Sequence, residues 1–331
     1  MYFMSVEYPK IALIGGGTGS FTLLQELKKV DPTISAIVNM SDDGGSTGVL
    51  RDELGVLPPG DVRQCLVALS DSPEVRDMFN YRFGEGRLAG QSLGNMMLSG
   101  LELQHGSFAK AVKIASKIMN ISGQVIPVTL DQHELVMNDD DNVIKGEYVI
   151  AHHEISKPEP TLWLEPSAHI NPEAKDAIDE ADLIVIAPGN LYGSLLPIFA
   201  VEGVAEALKT ARGQKVTVSN LVTKPGQTDG WHVMDYVNEQ ERFIGTGVLD
   251  AVLYNSRSVP SELVMRYAAD GELPVRSDVA GFKGATLKLL GAKLVADQIT
   301  TGDPNDKVIQ RTLIRHDPVE VAKQLVGLVQ K

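Results

Sequence analysis

Two glycine-rich stretches stand where chemistry on a phosphorylated ligand would need them. Gly15-Gly16-Gly17-Thr18-Gly19-Ser20 follows the apolar run ending at Ile14, and Asn39-Met40-Ser41-Asp42-Asp43-Gly44-Gly45-Ser46-Thr47-Gly48 follows the run Ile34 to Val38. Glycines let a backbone approach an anion closely, and a helix opening after such a turn aims free N–H groups at it. The second stretch adds two adjacent carboxylates, Asp42 and Asp43. Either could hold Mg²⁺ against a diphosphate or accept a proton from an attacking hydroxyl, and capping the turn is the structural alternative. No cofactor is certain from these residues, and Mg²⁺ is the one they could hold. A nucleotide or nucleotide-sugar site on the carboxyl edge of a parallel sheet is the leading expectation.

Later strand ends repeat the pattern. Ala187-Pro188-Gly189-Asn190-Leu191-Tyr192-Gly193-Ser194 follows Leu183 to Ala187, and Asn220 and Asn255 follow Val216 to Ser219 and Ala251 to Tyr254. Gly189, Asn190 and Ser194 are thus candidate donors to phosphate, and Asn220 and Asn255 candidate contacts to sugar or base. Between Arg51 and Arg63 runs a stretch rich in charge, proline and glycine, in which Asp61 reads as a helix N-cap. Arg63, in the first turn, opposes the helix dipole unless an anion or a carboxylate offsets it, so Arg51 and Arg63 are candidate anion contacts or salt-bridge partners. Ser92-Leu93-Gly94-Asn95 opens another helix and makes Asn95 a further candidate.

Other chemistries find less support. Gly15-x-Gly17-x-x-Ser20 nearly matches a dinucleotide fingerprint, but its third small position is serine and the acidic pair lies beyond the second strand. No lysine follows Gly19 as a Walker A motif requires. The seven histidines show no metal-ligand spacing, and His152 and His153, on an expected strand, would face opposite sides. Cys65, the single cysteine, excludes an internal disulfide and reads as a buried thiol in an apolar helix.

The elements that must position these residues alternate short apolar runs with longer amphipathic ones. That pattern predicts an α/β fold: a Rossmann-like, mainly parallel sheet with helices on both faces. Helices are expected at 21–30, 62–69, 74–81, 93–103, 108–119, 172–181, 204–210, 234–241, 261–269 and 319–329, with Pro172 after Asn171 and Pro318 after Asp317 opening capped first turns. From about 124 to 164 the texture becomes β-rich, with short strands expected at Val125 to Leu130, His133 to Met137, Tyr148 to Ile155 and Thr161 to Leu164. The acidic run Asn138 to Asn142 reads as a solvated hairpin turn, since it lacks the spacing of a calcium loop. We read residues 1–331 as one α/β domain carrying this small β-rich insertion.

A net charge of -13 in a chain that is 43% hydrophobic argues against general affinity for nucleic acid or an anionic membrane. Neither a signal peptide nor an apolar run near about 18 residues is present, so the expectation is a soluble, cytoplasmic protein without membrane insertion.

Taken together, Gly-Gly-Gly-Thr-Gly (15–19), Ser-Asp-Asp-Gly-Gly-Ser-Thr-Gly (41–48), Leu-Arg-Asp-Glu-Leu-Gly-Val-Leu-Pro-Pro-Gly-Asp-Val-Arg (50–63), Ala-Gly-Gln-Ser-Leu-Gly-Asn (89–95), Ala-Pro-Gly-Asn-Leu-Tyr (187–192) and Thr-Lys-Pro-Gly-Gln-Thr-Asp-Gly (223–230) resemble the bacterial gluconeogenesis factor family of the CofD-like group. The resemblance covers nearly the whole chain. It implies binding of UDP-N-acetylglucosamine and a regulatory role in cell-wall precursor supply and cell shape on gluconeogenic carbon. Glucosamine-6-phosphate synthase is the partner it implies, and a homodimer is an open alternative for the assembly. Two C-terminal segments match the same branch: Tyr267 could stack on a uracil face and Arg315 could pair with the diphosphate. The related branch, 2-phospho-lactate transferase, is a Mg²⁺-dependent enzyme whose second-strand loop also carries paired aspartates. It supplies the alternative reading, in which Asp42 and Asp43 are catalytic.

Overall fold

In the computed structural model, residues 8–31, 33–269, 271–277, 287–296 and 315–329 are described. The first half of the chain runs β1 (Ile11–Gly15), α1 (Gly17–Leu27), β2 (Ser35–Val38), α2 (Gly45–Leu54), α3 (Gly60–Leu69), α4 (Pro73–Asn80), α5 (Leu93–His105), α6 (Phe108–Ile118) and β3 (Gln124–Pro127). A smaller unit follows: β4 (Glu134–Asp139), β5 (Asn142–Lys145), α7 (Glu147–His152) and β6 (Thr161–Glu165). The second half runs α8 (Pro172–Glu180), β7 (Leu183–Ile186), a single π turn (Leu191–Leu195), α9 (Leu196–Phe199), α10 (Val204–Thr210), β8 (Gln214–Val218), α11 (Val233–Ile244), β9 (Ala251–Asn255), α12 (Ser261–Ala268), β10 (Lys288–Ala292) and α13 (Pro318–Val326).

Seven strands form one parallel sheet in the order β10-β9-β8-β7-β1-β2-β3. Every residue of β1, β2 and β7 is buried, which is why these strands read as unbroken apolar runs rather than alternating ones. Leu13 and Ile14 of β1 and Leu23 and Leu24 of α1 are at most 1% exposed, and each such side chain contributes about 1.5–3 kcal/mol by leaving water. Helix α1 packs on both α3 and α13, closing one layer over the sheet centre. Asn171 accepts from Glu173 N at 3.1 Å, and Asp317 from Val319 N at 3.0 Å and Glu320 N at 3.1 Å, so both proline-led helices carry their expected caps.

Strands β5, β4 and β6 form a separate antiparallel sheet. Its β6 alternates strictly, with Leu162 and Leu164 inward and Thr161, Trp163 and Glu165 outward. Here the structure departs from the sequence reading. Gln124–Pro127 pairs with β2 at the edge of the main sheet, so the insertion is narrower than 124–164. Tyr148 to Ile155 is no strand; its first part is helix α7, with Ile150 and Ala151 buried and Tyr148, Val149 and His152 exposed. His152 and His153 therefore do not flank a strand: the His152 ring hydrogen-bonds Tyr148 O at 2.7 Å and the His153 ring Asp139 Oδ2 at 2.8 Å. The acidic turn is only partly solvated, because Asp139 is buried and also accepts from Ser156 N at 2.8 Å and Lys157 N at 2.7 Å. Helix α2, strand β5, helix α9 and strand β10 are not among the elements expected from the sequence.

Candidate functional site

The chain builds the sheet outward from β1 in one direction to β2 and β3, then returns to the other side of β1 with β7, β8, β9 and β10. The order reverses between β1 and β7, and at such a point the loops after the two strands diverge and leave a crevice at the carboxyl edge. Gly15–Gly19 forms one wall and the loop from Pro188 to Ser194 the other. At Gly16 and Gly19 the walls nearly touch: a Cβ on Gly16 would stand 3.1 Å from Ser194 Cβ, and one on Gly19 would strike the carbonyl oxygen of Pro188. Asn190 Oδ1 accepts Gly193 N at 3.2 Å and so caps the π turn. Asn220, at the end of β8, grips the Gly189 peptide from both sides, its Oδ1 accepting Gly189 N at 3.3 Å and its Nδ2 donating to Gly189 O at 2.9 Å. Thr18 is exposed at the rim and donates to Gln64 Oε1 at 3.0 Å. Gly15, Gly16, Gly17, Thr18, Gly19, Gly189, Asn190, Ser194 and Asn220 are thus brought together.

The N-termini of α1, α2 and α3 converge on the same crevice, and carboxylates gather against them. Asp61, in the first turn of α3, accepts hydrogen bonds from Gly17 N and the Asn39 side chain; Cβ atoms on Gly16 and Gly17 would stand 3.1 Å and 2.8 Å from its oxygens. Burial, then the charge of Asp42, pushes its carboxyl up to about 7. Asp42 accepts Gly44 N at 3.0 Å and the Thr47 hydroxyl, and burial raises it above the usual carboxylate range. Glu147, at the start of α7, lies against Gly193; burial, then Asp42 and Asp61, pushes it up to about 8, with Lys224 opposing. At neutral pH Asp61 is therefore about half protonated and Glu147 mostly so, and a protonated carboxyl can donate a hydrogen bond to a phosphate or sugar oxygen. The positive ends of three helices offset what charge remains.

Asp43 has a different task from its neighbour. Its Oδ2 accepts Glu147 N at 2.9 Å and its Oδ1 accepts Tyr148 N at 2.7 Å, so both oxygens cap α7. The pair Asp42 and Asp43 consequently does not fit a shared Mg²⁺ ion, and among the described residues no three His, Cys, Asp or Glu side chains are arranged to hold a metal. Arg51 clamps the loop after β2 by donating to Asp42 O at 3.0 Å and His133 O at 2.9 Å. Arg63 is buried and donates to Asn95 Oδ1 at 3.0 Å and Asn80 Oδ1 at 2.7 Å. Asn95 in turn donates to Ser46 Oγ at 3.4 Å, and Ser46 donates to Gln91 Oε1 at 2.8 Å. Arg63 and Asn95 thus pin the N-termini of α2, α3 and α5 to one another.

A second cleft, about 550 Å³, opens beside the crevice at the ends of β8 and β9, with Asn220, Asn255, Arg257 and Arg276 in its lining. Asn255 is held in place there, donating to Arg257 O at 2.6 Å and accepting Leu294 N at 3.1 Å. Tyr267 is 4% exposed and sits in the core, so its ring presents no open face for stacking in this structure. Arg315 is half-buried at the β8 end, where its carbonyl accepts Ala296 N at 3.0 Å and the neighbouring His316 ring bonds Ser219 O at 3.0 Å. Sequence reasoning took Asp61 for a cap alone and did not single out Glu147, Arg257 or Arg276. Pro-Pro-Gly before Asp61 marked the helix start, but nothing local marked the other three.

Comparison with known proteins agrees with this architecture. The profile of the family described as 2-phospho-L-lactate transferase CofD matches residues 11–298. A Bacillus subtilis protein named gluconeogenesis factor is 39% identical over 332 residues, covering 98% of this chain and 99% of its own. A Listeria innocua protein of the same name is 39% identical over 262 residues, covering 77% and 80%. A crystal structure of a UPF0052 family member from Bacillus halodurans superposes with a TM-score of 0.88 at 33% identity, covering 97% of this chain and 100% of that one.

Proposed function

The chain belongs to the CofD family, and from that premise we propose that it is a gluconeogenesis factor that binds UDP-N-acetylglucosamine and passes the bound state to a partner enzyme. In this reading it ties cell-wall precursor supply and cell shape to gluconeogenic carbon, with glucosamine-6-phosphate synthase as the partner. The observation that carries the reading is the position of Asn220. It grips the Gly189 peptide of the crevice and also lines the cleft at β8 and β9, so the two spaces adjoin. A ligand with a diphosphate between two larger groups suits such a pair of spaces. The diphosphate would meet N–H groups of the Gly15–Gly19 and Gly189–Ser194 turns, with Arg257 and Arg276 on the side of the second cleft. Regulation then requires that the ligand bind one state of the protein more tightly than another.

Titration calorimetry with UDP-N-acetylglucosamine tests this. Binding is expected, weakened roughly 10-fold by Arg257→Ala, the loss of one charge-assisted contact. No heat at millimolar nucleotide-sugar refutes the reading.

One observation favours a second reading, a transferase acting on a nucleotide diphospho-compound: beside Asp42, whose carboxyl burial raises, the carboxyls of Asp61 and Glu147 are pushed up to about 7 and about 8, where general acids and bases work near neutrality. Incubation with guanosine diphospho-lactate, a deazaflavin acceptor and Mg²⁺ decides it. Product that disappears in Asp42→Asn would replace the regulatory reading.

A further inference from the structure

Helix α7 is only six residues long, and a helix of that length has no stability of its own. Ties at both ends hold it. At its start stand the two bonds from Glu147 N and Tyr148 N to Asp43, spanning 104 and 105 residues of sequence. Gly146, at φ 92, lets that carboxylate come close, since a Cβ there would stand 2.8 Å from Asp43 Oδ2. At its finish, Gln227 Nε2 donates to Ile150 O at 2.8 Å and His153 O at 3.1 Å, Lys224 Nζ donates to Ala151 O, and Ile155 N donates to Gly226 O at 2.7 Å.

The two anchoring loops come from either side of the crevice. Asp43 follows β2, whereas Lys224 to Gln227 follow β8, and between these strands lie β1 and β7. Three strand spacings amount to about 14 Å, of which six helical residues cover about 9 Å and the anchoring side chains the rest. The helix thus bridges the crevice. Its Glu147 meets the π turn below, and Tyr148, Val149 and His152 face outward, with the Tyr148 and His152 rings 4.4 Å apart.

We propose that α7 is a strap whose seating registers occupancy of the crevice: a ligand lodged between the β1 and β7 turns moves the loops after β2 and β8 together, and the strap carries that movement to its outward face. Asp43 and Gln227 are then positioning residues, each acting on the crevice through the helix. The identity of the ligand rests on the nucleotide-sugar reading above, whereas the mechanical link rests on the two ties alone.

Hydrogen exchange of the full chain, read by mass spectrometry, tests both parts. Asp43→Ala removes a two-bond cap and should speed exchange of residues 147–152 roughly 10-fold. Residues 224–228, whose hydrogen bonds to this segment reach only Ile150 to Ile155, should loosen with them, while α5 and α6 stay unchanged. Gln227→Ala should do the reverse and loosen residues 147 and 148. If each variant loosens its own end alone, the strap is refuted; should Asp43→Ala not fold, Asp43→Asn, which keeps one acceptor, takes its place. UDP-N-acetylglucosamine should slow exchange in both segments at once in wild-type protein. Calorimetric binding with no change at 147–152 overturns the strap and leaves the ligand reading standing. An absence of binding overturns the ligand reading, and the two-ended exchange result then decides the strap.

Discussion

Gly19→Ala separates backbone preference from the geometry of the crevice. Gly19 lies in the first turn of α1 without a positive φ, where alanine is favoured over glycine by about 1 kcal/mol. Propensity alone would make the variant more stable. The added Cβ, however, would strike the Pro188 carbonyl oxygen and stand 3.0 Å from Pro188 C, and both obstacles are backbone. Clearing them takes about 1 Å of separation between α1 and the loop after β7, and overpacking of this kind costs about 3 kcal/mol at its upper range. The net expectation is a loss of about 2 kcal/mol and a melting temperature lower by about 4 °C. A crevice widened by about 1 Å should also lose nucleotide-sugar affinity by up to about 100-fold. Gly189→Ala is the control, because its Cβ meets only Leu195 Cγ at 3.9 Å. Urea melts and calorimetry on both variants suffice. A Gly19→Ala protein as stable as wild type, with unchanged binding, would refute the account of two walls in contact.

Glu147→Gln should flatten the alkaline side of the stability profile. The native carboxyl is raised from 4.5 to about 8, so its contribution is full below 4.5 and is lost as pH rises through 8. The full interval is worth at most about 5 kcal/mol, and water at the half-buried group brings that to about 2 kcal/mol. The Gln variant should therefore gain about that much on wild type at pH 8.5 in urea melts. His316 acts on the acid side: burial lowers its pKa to about 4, so stability is full above 6.5 and declines as pH falls from 6.5 to 4. His316→Gln should lose less stability over that interval, measured against wild type at each pH. Gly100→Ala, in the exposed middle of α5 with open space around its Cβ, should stabilise the protein by about 0.5–1 kcal/mol in the same melts.

What could be read from the chain was whatever local chemistry decides. The run Ile11 to Ile14 followed by glycines announced the first wall of the crevice, and α10 falls at Val204–Thr210 as its apolar periodicity indicated. Asn171-Pro172 and Asp317-Pro318 carried their own caps. What could not be read depends on distant partners. The stretch from Tyr148 holds too few residues to show a helical period, and its first turn is fixed by a carboxylate more than a hundred residues away. Helix α2 begins with Gly45, Ser46, Thr47 and Gly48, all poor helix formers, and is secured by Asp42 and Gln91. Asp61 was visible as a residue at a helix start, but only the packing of α3 beside α1 sets it against Gly17. For Tyr267 the resemblance offers stacking on a base, with a helix-surface tyrosine as the alternative, whereas its burial is decided by tertiary packing.

The reversal of strand order also sets when the crevice can exist. Both glycine loops are made early, yet the opposite wall comes with β7, whose start is joined to that of β1 by the bond from Lys10 N to Asp182 at a separation of 172 residues. Closure by the strap waits longer, for Lys224 and Gln227 to return to α7. Contacts of such separation form late, because the intervening chain must be ordered before they repay its entropy. During synthesis the amino-terminal half therefore emerges with its glycine turns but no second wall, and the crevice stays unformed until most of the chain has left the ribosome.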